Sequence, residues 1–86
     1  MSAAQPLALQ VMVRQGCHLC EELMELLARH PRGAEFTVAS LDVDSRADWQ
    51  AEYGLRVPVV LAGEAEICEY FLDFERLEQA LNQPRP

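Results

Sequence analysis

Apolar residues recur at two different spacings along the chain, and the spacings predict alternating strands and helices. Leu7–Val13 is a short apolar run with the length and valine content of a buried strand. A second run at 36–43, rich in β-branched residues, is also typical of a strand. Between the two runs, leucines follow the i, i+4, i+7, i+8 spacing of one helix face, at Leu19, Leu23, Leu26 and Leu27. This order favours a right-handed βαβ unit with parallel strands.

The second half of the chain predicts a short helix followed by a hairpin. The helix opens at Asp44-Ser45 and ends at Tyr53-Gly54. A third strand is expected at 57–61 and a fourth at 66–70. The turn 62–64 joins them, because its central glycine tolerates a positive φ.

A last helix completes the predicted architecture. Asp73 is the expected N-cap, and the buried stripe of the helix is expected at Phe74, Leu77, Ala80 and Leu81. The fold class is therefore α/β, a four-stranded mixed sheet of order βαβαββα with helices on both faces. Residues 1–86 are expected to form a single domain with an ordered core at about 7–82, the first six and last four residues lying outside it.

Charge and composition exclude several classes of function. The chain has seven arginines, no lysine and fourteen acidic residues, for a net charge of −7. Such a chain lacks the positive patch that nucleic acids require, and anionic membrane surfaces would repel it. No apolar run reaches the roughly 18–20 residues of a membrane span, and no secretory signal is expected at the start. An odd count of three cysteines favours a reducing, cytoplasmic compartment.

The segment Cys17-His18-Leu19-Cys20 at the start of the first predicted helix carries chemistry. Two cysteines with this spacing lie about one helical turn apart on the same side, within reach of a disulfide. The free amides and the dipole of a helix start stabilise a thiolate, and cysteines in such motifs can have pKa values of about 3.5–7.5. We therefore predict Cys17 as the nucleophile and Cys20 as the resolving thiol of disulfide exchange. A protonated His18 would favour the thiolate further.

Other interpretations of the cysteines stay open at this point. The pair could be idle at a helix end, or half of a zinc site that lacks two ligands. The other residues that commonly bind zinc are His18, His30 and Cys68. None of them repeats the two-residue spacing of the cysteine pair, so no metal site is expected. Cys68 is either a packed small side chain or a regulatory thiol that forms mixed disulfides.

Pro58 is the second feature with functional meaning. Proline lacks an amide proton and tolerates a cis peptide bond. At the start of an edge strand it would leave the backbone of Val57 free to pair with an extended peptide. Proline also often starts an ordinary edge strand, so the functional and the purely structural interpretations both stay open. Arg56 either binds an anionic substrate group or forms a plain surface ion pair.

Two segments together resemble the glutaredoxin branch of the thioredoxin fold. They are Val-Arg-Gln-Gly-Cys-His-Leu-Cys, which ends at Cys20, and Leu-Arg-Val-Pro-Val, which contains Pro58. The likeness is to small bacterial glutaredoxin-like domains with a Cys-His-Leu-Cys-Glu signature, over roughly residues 7–82. The resemblance implies a cis Pro58 that faces the cysteine pair. It also implies that the backbone of Val57 hydrogen-bonds a substrate or glutathione.

The sequence departs from the glutaredoxin pattern at several places. His18-Leu19 stands where Pro-Tyr is usual, while Arg14 could serve as the basic residue that precedes the motif. The stretch 67–73 lacks the Gly-Gly-Asp-type turn that holds the γ-glutamyl end of glutathione, and only Asp73 is a counterpart. Glutathione is anionic and this chain is acidic. No bound cofactor is expected. Glutathione is a candidate reductant, but these departures from the pattern argue against it.

Three functional hypotheses follow. The first is a small dithiol oxidoreductase that reduces disulfides in proteins or in low-molecular-weight thiols. The second is a non-catalytic module that binds a partner at the Val57-Pro58 edge or senses the redox state. The third is a metal carrier that uses Cys17 and Cys20. The expected partner is a disulfide-containing protein or small thiol, not nucleic acid or membrane, and a monomer is expected.

Overall fold

The structure, a computed structural model, describes residues 5–84. The expectation of loose ends falls partly on residues 1–4 and 85–86, which lie outside the described residues. Short 3-10 turns at Gly33–Glu35 and Val43–Ser45 flank the second strand. The main elements are β1 (Leu7–Val13), α1 (His18–Ala28), β2 (Phe36–Asp42), α2 (Ala47–Tyr53), β3 (Val59–Ala62), β4 (Ala65–Glu69) and α3 (Phe74–Asn82).

The four strands form one mixed sheet in the order β2-β1-β3-β4. β1 runs parallel to β2 and antiparallel to β3, and β3 runs antiparallel to β4. The predicted order βαβαββα is confirmed. The expectation that Pro58 opens an edge strand is wrong, because β1 and β4 occupy the two sides of β3. A proline is tolerated there since it precedes Val59, where the pairing with β1 and β4 begins.

Helices cover both faces of the sheet, as predicted. α1 and α3 pack on one face, where their leucines meet Leu9 and Val11 of β1 and Val60 of β3. α2 packs on the other face, where Trp49 and Tyr53 contact a cluster formed by Met12, Val59 and Leu61. Successive residues of the central strands therefore point to opposite faces of the sheet and pack against different helices. This packing on both faces fixes the position of the carboxyl end of β1.

The buried faces of α1 and α3 are narrower than the leucine and phenylalanine spacing predicts. α1 buries Cys20, Leu23 and Leu27, while Leu26 is 43% exposed. The predicted burial of Leu26 is wrong because the centre of the buried stripe includes Cys20, which moves Leu26 to the flank of the helix. Phe74 of α3 is likewise exposed. None of the helices within residues 5–84 has the length and apolar character to cross a membrane.

Several element boundaries differ from the prediction, including those of the third strand, expected at 57–61 and observed at Val59–Ala62, and two of the differences have local causes. Residues 42–45 form a turn of their own, in which the Asp42 carboxylate accepts from the Asp44 amide and the Ser45 hydroxyl donates to the Asp42 carbonyl. The short helix therefore begins later, at Ala47. β4 ends at Glu69, because the next residue, Tyr70, has a φ of 66°, which is incompatible with an extended strand.

Candidate active site at the start of the first helix

Cys17 is the N-cap of α1, and its sulfur takes the place of the oxygen that usually caps a helix. The backbone of Cys17 is extended, with φ −89° and ψ 109°. Its Sγ accepts a hydrogen bond from the amide of Cys20, with 3.1 Å between sulfur and nitrogen. An amide that would otherwise lack a partner in the first turn is thereby directed at the sulfur. Negative charge on this sulfur is stabilised by the amide and by the helix dipole.

The loop before the helix directs the Cys17 backbone into this position. The Cys17 amide donates to the Arg14 carbonyl, 3.2 Å away, and closes a four-residue turn. Gly16 occupies the third position of the turn with a φ of 78°, which a type II turn requires and glycine adopts without steric cost. A side chain at residue 16 would strain the turn and displace Cys17.

The two cysteines form a disulfide in the structure and differ in exposure. Their Cα atoms lie 5.2 Å apart, within the roughly 4.4–6.8 Å that disulfides span. Cys20 is only 3% exposed, whereas Cys17 is partly open to solvent. His18, the first residue of α1, is exposed. The arrangement can exchange a disulfide with an external sulfur at Cys17 and close it again from Cys20.

Val57 and Pro58 lie at the same end of the sheet as the loop that leads to Cys17. The antiparallel register pairs Met12 with Val59, so the residues before Val59 run beside those after Met12. The Val57–Pro58 peptide bond is cis, and Pro58 is buried. The backbone of Val57 precedes both strand pairings and is not used by either.

The Arg14 side chain joins the loop before Cys17 to the end of α2. Its guanidinium donates to both carboxylate oxygens of Asp44, at 2.8 and 3.0 Å, and to the Gly54 carbonyl at 2.9 Å. Only glycine fits at residue 54, because a Cβ there would lie 2.5 Å from the Gln50 carbonyl oxygen. The hydrogen bonds from Arg14 and then from Gln50 lower the pKa of Asp44 from 3.8 to about 2.

Arg56 ties the segment before Pro58 to β4. One guanidinium nitrogen lies 2.8 Å from a Glu66 oxygen and 3.1 Å from a Glu69 oxygen. The other nitrogen bonds the second Glu66 oxygen and the Glu52 carbonyl. The hydrogen bonds from Arg56 hold the pKa of Glu66 below its ordinary value. A substrate anion would have to displace these carboxylates, so substrate binding by Arg14 and Arg56 stays a prediction. Their contacts support a structural role, in which each arginine holds a loop of the site in position.

Tyr70 belongs to the site and was not anticipated from the sequence. Its amide donates to the Pro58 carbonyl at 2.8 Å, and its hydroxyl donates to the Leu55 carbonyl, also at 2.8 Å. Tyr70 therefore fastens both ends of the Leu55–Pro58 segment. The sequence carries one signal of this role, the adjacent aromatic residues Tyr70 and Phe71 between the last strand and the last helix.

The third cysteine stands apart from this arrangement. Cys68 is a free thiol in β4 and packs partly against the core beneath α1 and α3. Burial raises the pKa of the Cys68 thiol, which keeps it in the less reactive protonated form. The structural interpretation of Cys68 is thus favoured over the regulatory one. Across residues 5–84, no group of three or more His, Cys, Asp and Glu side chains is placed to hold a metal ion.

The βαβ unit, the cysteine pair at its helix start and the proline before the antiparallel hairpin define a thioredoxin-like fold with a dithiol site. The sequence profile of the glutaredoxin-like domain family (DUF836) matches residues 8–82. The chain belongs to this family, which confirms the resemblance that the motifs indicated.

Two solved structures support the same fold. The solution NMR structure of protein Ne2328 from Nitrosomonas europaea has a TM-score of 0.84 and 32% sequence identity, covering 95% of this chain and 99% of that one. The X-ray structure of protein XcR50 from X. campestris has a TM-score of 0.67 and 32% identity, covering 86% of this chain and 95% of that one. No curated protein matches the chain.

The ion pair of Arg14 and Asp44 predicts a specific pH dependence of stability. The pKa of Asp44 is lowered by folding, so the contribution of the pair is complete above about pH 4 and is lost as the pH falls towards about 2. Urea unfolding of Asp44→Asn should show a shallower loss of stability across this interval than the unaltered chain. Glu64→Gln, which changes an exposed carboxyl in the β3–β4 turn, should keep the original slope. Equal slopes for all three proteins would contradict the assignment.

The unequal exposure of the cysteines predicts an order of alkylation. After reduction, Cys17 should react with iodoacetamide at pH values well below those at which an ordinary thiol, of pKa about 8.5, reacts. Cys20 should be modified only on unfolding, because it is 3% exposed. Peptide mass mapping after timed alkylation measures both rates. A reactive site is excluded if Cys17 follows the pH profile of an ordinary thiol.

Proposed function

We propose that the protein is a thiol–disulfide oxidoreductase that reduces disulfides in proteins or in low-molecular-weight thiols. One observation carries the proposal: the Cys20 amide is directed at the Cys17 sulfur at the start of α1, while the Cys20 sulfur stays within bonding reach behind it. A partly exposed, stabilised thiolate with a buried partner is the arrangement that two-step disulfide exchange requires.

The reaction starts from the reduced pair. The Cys17 thiolate attacks one sulfur of the substrate disulfide, forms a mixed disulfide with it, and releases the other sulfur as a thiolate that takes up a proton. Cys20 then loses its proton and attacks the Cys17 sulfur. The bond to the substrate breaks, the second substrate thiol leaves, and the Cys17–Cys20 disulfide forms. Two electrons pass from the dithiol to the substrate.

The remaining predicted residues would position the substrate. The free backbone of Val57 offers an amide and a carbonyl to an extended substrate segment beside Pro58. Arg14 and Arg56 act through their intramolecular ion pairs, which fix the loops on either side. An external thiol or dithiol must restore the reduced pair, in a cytoplasmic compartment where such reductants are abundant. Glutathione would bring its carboxylates to a site whose two bracing arginines already bind carboxylates, so a dithiol protein fits this role better.

Two cysteine variants test the proposal in complementary ways. The reduced protein is mixed with a peptide that contains a disulfide, and the released thiols are counted over time. Cys17→Ser should reduce the rate to the uncatalysed level, since the attacking sulfur is gone. Cys20→Ser should accumulate a mixed disulfide with the peptide, visible as an added mass. Cys68→Ser should behave as the unaltered protein.

The outcome also separates catalysis from simple binding. A wild-type rate in Cys17→Ser would contradict the proposal. The proposal would also be contradicted if the unaltered protein failed to reduce the peptide. If Cys17→Ser still bound the same peptide noncovalently in that case, the result would favour the binding-module alternative.

A further inference from the structure

The exposed apolar side chains of the described residues are concentrated on one side of the active site. They are Leu26, Val38, Leu55, Tyr70, Phe71 and Phe74, and all but Val38 lie on α1, on the segment before Pro58, on the connection from β4 to α3, or at the start of α3. Leu55 is 92% exposed and Phe71 is 68% exposed. Contiguous exposed apolar groups of this kind mark interaction surfaces in soluble proteins.

A narrow groove runs through this surface and reaches the helix of the cysteine pair. Leu19, Leu23 and Leu26 of α1 form one wall, and Tyr70 and Phe71 form the other. Leu19 lies in the first turn of α1, two residues after Cys17. A side chain seated in the groove would therefore belong to a molecule whose sulfur could reach Cys17.

A tight, strained turn shapes the aromatic wall. Tyr70 has a φ of 66°, and the Phe71 amide donates to the Glu69 carbonyl at 2.7 Å, which closes a tight three-residue turn around Tyr70. A bulky residue rarely adopts this conformation, and such outliers concentrate at functional sites. The turn directs the rings of Tyr70 and Phe71 outward instead of into the core, and both rings are exposed.

The size and charge of the groove select its occupant. Its volume of about 100 Å³ is well below the roughly 300–1,000 Å³ of sites that enclose a small molecule, so it fits one apolar side chain of a larger ligand. Glu22 lines the same groove, and Glu25 lies beside it, paired with Arg29. With a net charge of −7, the chain favours a basic ligand over an anionic one.

We infer that this groove is a specificity subsite for polypeptide substrates that carry an apolar side chain and basic residues near the disulfide that Cys17 attacks. The inference rests on the proposed function and narrows its substrate class from any disulfide to a basic, apolar polypeptide segment. The exchange is the one already described: the substrate disulfide gains two electrons and two protons, and the Cys17–Cys20 dithiol loses them.

Three synthetic peptides of equal length, each closed by one disulfide, test the subsite. The first carries leucine and two arginines beside the ring, the second replaces leucine with serine, and the third replaces the arginines with glutamates. The rate for each with pre-reduced protein is divided by the rate for bis(2-hydroxyethyl) disulfide, which has no side chain to seat. The first peptide should exceed the second by about tenfold, the order that one buried apolar group contributes to selectivity.

Matched variants locate the effect. Phe71→Ser should remove most of the leucine preference, whereas Tyr70→Phe, which loses only the hydroxyl hydrogen bond to Leu55 and keeps the ring, should retain it. Glu22→Gln should weaken the preference for arginine over glutamate. Val38→Ser, at another exposed apolar position on β2, and Glu64→Gln should leave both ratios unchanged.

The possible outcomes separate this inference from the proposed function. If bis(2-hydroxyethyl) disulfide is reduced but the peptides react at equal normalised rates, the subsite is refuted and the oxidoreductase stands. The subsite is also refuted if Val38→Ser lowers the preference as much as Phe71→Ser does. If the unaltered protein reduces none of the disulfides, the proposed function fails and the subsite fails with it.

Discussion

The hydrogen bond from the Cys20 amide to the Cys17 sulfur is the interaction around which the structure is organised. It requires Cys17 to be the N-cap of α1, and the glycine turn before Cys17 and the buried Leu23 and Leu27 after it fix that position. β1, at the centre of the sheet, delivers the chain to this turn. Because both ends of the contact belong to packed elements, the sulfur is held near the positive end of the helix before any substrate arrives.

Arg14 and Arg56 hold loops of the site in position, which limits how they could contact a substrate. Arg14 joins the motif loop to Asp44 and Gly54, and Arg56 joins the segment before Pro58 to Glu66 and Glu69. These cations are already paired with carboxylates of their own chain, so they do not offset the remaining negative charge of the surface. Under the proposed function, recognition would fall to backbone groups at Val57 and to apolar contacts beside α1. If the proposed subsite operates, an anionic small thiol would gain little from such a surface, whereas a basic polypeptide would gain both charge attraction and apolar contact.

The sequence was sufficient for features with local causes. Strand and helix order follow from spacing, and the position of Cys17 at a helix start follows from the leucines after it. Family membership was also visible in the two motifs. The partners of Arg14 and Arg56 were not predictable, because Asp44 and Glu66 are thirty and ten residues away and meet the arginines only in the folded sheet. The exposure of Leu26 was not predictable because periodicity marks a helix face but does not say which neighbour covers it. The turn at Tyr70 was not predictable because a bulky residue rarely adopts a positive φ.

A redox titration of the cysteine pair tests the central claim most directly. The protein is equilibrated in buffers of graded thiol–disulfide ratio, trapped with acid, and the Cys17–Cys20 disulfide is quantified by mass. A working dithiol should show a single two-electron transition between about −120 and −270 mV, the range of known disulfide oxidoreductases. A midpoint below about −300 mV would mark the disulfide as a static cross-link and would contradict the account.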